Sequence, residues 1–140
     1  MKMDSLFAYG TLMCEDIMAE VSGCRLSFAT GRLKGYCRRS VKGEPFPGLI
    51  PDATGIVDGI VYRGVPDPAW VRLDRFEGEM YLRREVRVEL SDGNVISAAT
   101  YIVHPEYLNH LDASDWDFEV FLRNDKTRFQ KGYRGYRTLL

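Results

Sequence analysis

The sequence predicts a single α+β domain: a small, mixed but mostly antiparallel sheet closing toward a β-barrel, with two or three short helices. Three observations carry that expectation. Short segments mixing apolar and polar residues recur along most of the chain and end at glycines, as strands do. The stretch Asp67–Gly78 carries the start and stop signals of a helix. Tyr81–Leu90 and Val95–Val103 flank a turn and read as a hairpin. No repeat, linker or low-complexity tract divides the 140 residues, so residues 1–140 form one unit.

Taken in order, Leu6–Tyr9 is a short apolar run ending in Gly10, a buried first strand with a sharp exit. Glu15–Val21 has helical character and stops at Ser22-Gly23. Leu26–Leu33 and Tyr36–Val41 read as strands, with Gly31 and Gly35 as kinks or turns. Glu44-Pro45-Phe46-Pro47-Gly48 reads as irregular, because its prolines lack donors and restrict their neighbours. Gly55–Tyr62 is β-rich, and Gly59 permits close backbone approach. In the clearest helix Asp67 can serve as N-cap and Pro68 as first helical residue. Trp70, Leu73 and Phe76 share a face, and Gly78 ends it. Tyr81–Leu90 alternates strongly, Ser91-Asp92-Gly93-Asn94 turns, and Val95–Val103 returns. Trp116–Leu122 reads as a further helix.

Composition narrows the function classes. A hydrophobic fraction of 45% and a charged fraction of 28% support a core without a metal or disulfide. A net charge of -1 gives no global pull toward nucleic acid or an anionic membrane. The apolar runs are too short to span a bilayer, and the N-terminal residues lack a signal-peptide stretch, so a cytoplasmic protein is expected. Cys14, Cys24 and Cys37 are odd in number and contain no C-x-x-C pair, which fits free, structural thiols in a reducing compartment.

Three blocks could carry chemistry. Phe7-Ala8-Tyr9-Gly10-Thr11-Leu12 puts a glycine after a strand, where backbone N–H groups can converge on an anion; it also suits a plain strand-end turn. Asp74-Arg75-Phe76-Glu77-Gly78 puts an acid in the last turn of a helix, where the macrodipole disfavours its charge. Glu77 could equally be a solvated residue paired with Arg75 or Arg83. Phe46-Pro47-Gly48-Leu49-Ile50-Pro51 reads as a stiff apolar loop suited to a pocket wall.

Together these blocks resemble the γ-glutamylcyclotransferase-like proteins, including the plant avirulence-induced-gene relatives. The resemblance rests on Tyr9-Gly10-Thr11-Leu12, then Phe46-Pro47-Gly48-Leu49-Ile50-Pro51, then Leu73-Asp74-x-x-Glu77-Gly78-x-x-Tyr81-x-Arg83, and covers about residues 6 to 103. It implies a small mixed barrel and an intramolecular acyl transfer. In that reaction the α-amine of a γ-glutamyl compound attacks its own γ-carbonyl, releasing 5-oxoproline and an amine. By the same resemblance Glu77 is the acid/base, Tyr9, Gly10, Thr11 and Leu12 cradle the α-amino acid end, and Tyr81 lies beside the site. No metal or other cofactor is implied. Phe46 stands where many relatives carry tyrosine, which keeps the aromatic wall and removes a hydroxyl. The expected partner is a small γ-glutamyl substrate, not nucleic acid or membrane, and the expected state a monomer or small homo-oligomer.

Two other readings are open. A binding module of the same fold would keep the pocket without turnover; Glu77 speaks against it. The segment Arg123–Leu140 holds six Lys/Arg against one Asp, a local net of +5, and interleaves them with aromatics as single-strand binders do. The rest of the chain carries -6 and would repel phosphates. His104 and His110, near Asp112 and Asp115, could in principle bind a metal but suit exposed or capping roles better.

Overall fold

Each strand finds a partner on both sides, so the sheet has no free edge. The computed structural model describes residues 3–140. Strands β1 (Ser5–Ala8), β2 (Phe28–Ser40), β3 (Pro47–Arg63), β4 (Tyr81–Leu90) and β5 (Val95–Val103) form a closed barrel in the order β1-β3-β2-β4-β5. Neighbours are antiparallel except β1 and β5, which run parallel.

The first strand is buried on both faces, and apart from Ser5 its residues are apolar. With a side-chain period of two, Phe7, and Tyr9 just past the strand end, enter a core otherwise made by barrel strands, with Leu33, Leu49, Val61 and Val88. Leu6 and Ala8 face a second core under the helices α1 (Glu15–Ser22) and α2 (Asp67–Glu77), with Ile17, Met18, Leu73 and Phe76. Helix α1 ends at Gly23, whose φ of 81° is left-handed. Its last carbonyls are covered by α2: Arg72 Nε donates to the Val21 oxygen at 2.7 Å.

Four expectations are corrected. The segments expected as two strands around Gly35 are one strand, β2; Gly35, at φ 88°, absorbs a register shift between Lys34 and Tyr36. The expected loop Phe46–Pro51 is extended from Pro47 onward. Pro47 sits at the first position of β3 opposite Ser40, and Pro51 lies opposite Tyr36 beside the shift, where a missing donor is tolerated. The N-cap of α2 is Pro66, so Asp67 and Pro68 occupy the first turn. The helix expected over Trp116–Leu122 starts later and runs further. It passes from α3 (Phe118–Val120) through a π turn (Phe121–Asp125) into α4 (Lys126–Gly132). Asp117 Oδ1 caps it, accepting from the N–H groups of Glu119 at 2.9 Å and Val120 at 3.2 Å. A closing 3₁₀ turn, Arg134–Leu139, packs back on α2.

Gly59 does require its missing side chain. A methyl there would collide with the Ala8 carbonyl oxygen and the Phe7 ring. Gly59→Ala is therefore expected to lower stability by about 2–3 kcal/mol. Urea denaturation measures it, and an unchanged midpoint would show that β1 and β3 can part at this point.

Candidate active site

Two chain reversals meet above the barrel. The first is the exit of β1. Tyr9 is held at both ends: its hydroxyl donates to the Tyr101 oxygen at 2.7 Å, and its own oxygen accepts from Arg38 Nη1 at 2.9 Å. Gly10 then lies so near the Pro47 ring that an added Cβ would stand 2.9 Å from Pro47 Cγ. The chain enters a 3₁₀ turn, Thr11–Met13, and the Tyr62 hydroxyl donates to the Leu12 oxygen at 2.6 Å. Gly10, Thr11 and Leu12 are buried, yet among the described residues their N–H groups have no acceptor. Buried donors of this kind cost about 1–3 kcal/mol each unless solvent or a ligand satisfies them.

The second reversal ends α2. Gly78, at φ 77°, lets the chain leave the helix for β4, and Glu77 is the last helical residue. One turn earlier, Asp74 accepts from the Tyr101 hydroxyl at 2.7 Å and pairs with Arg83 at 3.5 Å. The Arg83 guanidinium lies over the Trp70 ring, 4.7 Å from its centroid. Burial pushes the Glu77 carboxyl up from 4.5 to about 8, with the nearby charge of Asp74 adding to the rise. The residue keeps some solvent exposure, which tempers the energetic consequence.

Every residue expected at the site lines one cavity: Tyr9, Gly10, Thr11, Leu12, Glu77 and Tyr81. The cavity has about 30 Å³ of free space. It adjoins a larger vestibule of about 440 Å³, and Phe46, Glu77, Tyr81 and Tyr133 line both. The Tyr81 hydroxyl donates to the Pro47 oxygen at 2.7 Å, so this side chain ties β4 to the start of β3.

Sequence reasoning missed several contributors. Tyr133 donates to the Phe76 oxygen at 2.9 Å, and its ring stacks on Phe129, 4.7 Å between centroids. Tyr101 and Arg38 anchor the Tyr9 loop. Their local patterns, an alternating strand and a basic tail, carry no signal of these contacts. The tail aromatics Phe129, Tyr133 and Tyr136 pack around Phe76 in edge-to-face contacts. His104 Nδ1 accepts from the Glu106 N–H at 3.1 Å, and no group of three or more His, Cys, Asp or Glu among the described residues is placed to hold a metal. The three cysteines are free thiols; burial pushes Cys14 up to about 11, away from nucleophilic chemistry. No helix among the described residues is long and apolar enough to cross a membrane.

Known proteins resemble this chain in sequence and in fold. A family profile described as γ-glutamyl cyclotransferase, AIG2-like, matches residues 6–118. The chain is similar to AIG2-like protein C of Arabidopsis thaliana, 32% identical over 128 residues, covering 89% of this chain and 72% of that protein. A solution structure of another Arabidopsis thaliana protein superposes with a TM-score of 0.71 at 26% identity, covering 94% of this chain and 88% of the other. A structure described as a γ-glutamyl cyclotransferase superposes with a TM-score of 0.65 at 16% identity, covering 92% and 99%, a likeness of fold. The matched profile spans both chain reversals and the barrel between them, so the chain belongs to the γ-glutamyl cyclotransferase, AIG2-like family.

Proposed function

We propose that this protein is a γ-glutamylcyclotransferase that releases 5-oxoproline from a γ-glutamyl amine or peptide, with Glu77 as its acid/base. The observation that carries this reading is the pairing of opposites across one cavity. A carboxyl that burial favours in its neutral form faces a loop of buried backbone donors without acceptors. Such donors suit the α-carboxylate of a glutamyl group.

The chemistry asks little else of the protein. The positive charge of the bound α-ammonium pulls Glu77 back toward its carboxylate form; the ammonium then gives that carboxylate a proton, and the freed amine attacks the γ-carbonyl carbon of the same molecule. The new C–N bond closes a five-membered ring. The old C–N bond then breaks as Glu77 returns the proton to the leaving nitrogen; the ring nitrogen gives its second proton to Glu77, which passes it to the departing amine, so one carboxyl makes every transfer and the amine leaves as an ammonium. Tethering the nucleophile can supply effective molarities of about 10⁵–10⁸ M once the chain is folded into the reactive shape. A carboxyl near 8 lies closer to an amine than an ordinary glutamate does, which eases exchange in both directions. The inner cavity is smaller than a glutamyl group, so binding requires the rings of Phe46 and Tyr133 at the junction to shift.

Glu77→Gln keeps the size and hydrogen-bonding capacity but cannot shuttle a proton. It is expected to abolish 5-oxoproline release while calorimetry still detects substrate binding; turnover near the parent rate would remove Glu77 from this role. The same variant reports on stability. The folded carboxyl keeps its proton up to about 8, whereas the unfolded one loses it near 4.5. Between those values the unfolded state binds fewer protons, so the parent loses stability as pH rises through the window. Glu77→Gln is thus expected to match the parent at pH ~4 and exceed it at pH ~9 by roughly 1–3 kcal/mol, allowing for partial exposure. Chemical denaturation at both pH values measures the difference, and equal stability at both would mean the carboxyl is well solvated.

A further inference from the structure

The loop after β1 presents its N–H groups to the cavity because the carbonyls behind them are held. A planar trans peptide sets its C=O and N–H on opposite sides, and no cis peptide occurs among the described residues. Whatever grips one carbonyl therefore aims the N–H of the next residue. The Gly10 oxygen accepts from the Met13 N–H at 3.0 Å, and the Thr11 oxygen from the Cys14 N–H at 3.1 Å. These local bonds fix the peptides that carry the Thr11 and Leu12 N–H groups. The peptide between Tyr9 and Gly10 is held differently. Its oxygen, that of Tyr9, accepts from Arg38 Nη1 at 2.9 Å, across 29 positions of sequence.

Arg38 is itself held from the other side. Its Nε and Nη2 donate to the two oxygens of Asp115 at 2.8 and 3.3 Å, and its guanidinium lies over the Trp116 ring, 5.5 Å from the centroid. Trp116 is buried, and its indole N–H donates to the Pro45 oxygen at 2.8 Å. The stretch that supplies these two residues also docks on the end of β2. There the Asp112 N–H donates to the Ser40 oxygen at 2.8 Å, and the Ser40 N–H to the Ser114 oxygen at 3.0 Å. One guanidinium thus ties this strap to the loop above the barrel. Gly10 lines the inner cavity and Arg38 is not part of its wall, so the Gly10 N–H faces away from Arg38, toward the cavity.

We propose that Arg38 is a positioning residue for substrate binding: by holding the Tyr9 oxygen it aims the Gly10 N–H at the α-carboxylate of the bound glutamyl group and strengthens it as a donor. The inference rests on the reading of this cavity as the seat of a γ-glutamyl substrate. Two effects act together. The fork of the guanidinium fixes the plane of the Tyr9–Gly10 peptide against Asp115. Its charge also polarises that amide, since a cation on the carbonyl oxygen makes the N–H of the same peptide a better donor. Lysine is a poor substitute, because an ammonium on a flexible stem lacks the fork that reaches Asp115 and Tyr9 in one geometry. Arg38 acts through the backbone and takes no part in the proton transfers.

The test compares the parent with Arg38→Gln, Arg38→Lys and Asp115→Asn, using whichever of γ-glutamylalanine and Nε-(γ-glutamyl)lysine the parent turns over. Arg38→Gln is expected to raise both KM and the inhibition constant of 5-oxoproline, which keeps the α-carboxylate, by about tenfold. The fall in kcat should be smaller, because Glu77 and the tethered amine are untouched. Arg38→Lys should recover only part of the loss, and Asp115→Asn, which loosens the guanidinium without removing it, should shift KM less in the same direction. In isotope-labelled protein without ligand, the Gly10 amide resonance should move further in Arg38→Gln than those of Thr11 and Leu12. Should Arg38→Gln fail to fold, the same KM-against-kcat split in Arg38→Lys decides. A fall in kcat at least as large as the rise in KM, an unchanged KM, or equal movement of all three amide resonances would overturn the role of Arg38 and leave the cyclotransferase reading standing. Release of 5-oxoproline from neither substrate by the parent would overturn that reading and this inference with it.

Discussion

Buried tyrosine hydroxyls hold the walls of the cavity in place, and nearly all of them do so by donating to main-chain carbonyls. Tyr9 binds the oxygen of Tyr101, Tyr62 that of Leu12, Tyr81 that of Pro47, and Tyr133 that of Phe76. Tyr101 donates to the Asp74 carboxylate instead. Each bond crosses from one element to another, so the loop after β1, the start of β3 and the end of α2 cannot drift independently. Burial pushes all these phenols up, which keeps them protonated donors. Loss of one hydroxyl would leave a buried carbonyl unpaired, a cost of about 1–3 kcal/mol.

This arrangement explains what the sequence could and could not reveal. The end of α2 was legible because its signals are local: a stripe of Trp70, Leu73 and Phe76, then glycine at a left-handed position. The β4–β5 hairpin was legible from alternation and a turn-forming tetrapeptide. The prolines of β3 misled, because a proline excludes a strand only where its donor is needed, and strand starts and register shifts are where it is not. Gly35 misled for the same reason, since a kink within a strand and a break between strands look alike in sequence. The role of Tyr133 was invisible, because it rests on a contact to Phe76 that is 57 positions away in the chain.

Electrostatics at the site follow from position more than from charge count. Asp74 and Glu77 lie one helical turn apart at the negative end of the α2 dipole. Asp74 is compensated by Arg83 and by the Tyr101 hydroxyl. Glu77 is raised by burial and by Asp74, with no compensating cation among the causes of its shift. Two neighbouring carboxyls thus receive different surroundings, one an anchoring network and the other a cavity. That divergence is what the proposed role of Glu77 as a proton-transfer acid beside a structural Asp74 calls for.

An intramolecular reaction changes what a site must contain. With nucleophile and electrophile on one molecule, no second substrate need be oriented and no activated side-chain nucleophile is required, which is consistent with buried, unreactive Cys14 and with a site built from backbone donors and one carboxyl. On the proposed reading the remaining demand is shape: the glutamyl chain must curl so that its two ends meet. A cavity of about 30 Å³ walled by aromatic rings excludes an extended chain and rewards a compact one, provided the rings at the junction can shift. Phe46 meets Tyr133 edge to face across that junction, 5.3 Å between centroids. Such a contact is worth only about 0.5–1.5 kcal/mol beyond its buried area, so parting it is a modest demand on substrate binding. The rigid parts of the site are therefore the hydrogen-bonded walls, and the yielding part is the packing of Phe46 against Tyr133 of the tail, where the proposed reaction would pass its leaving group.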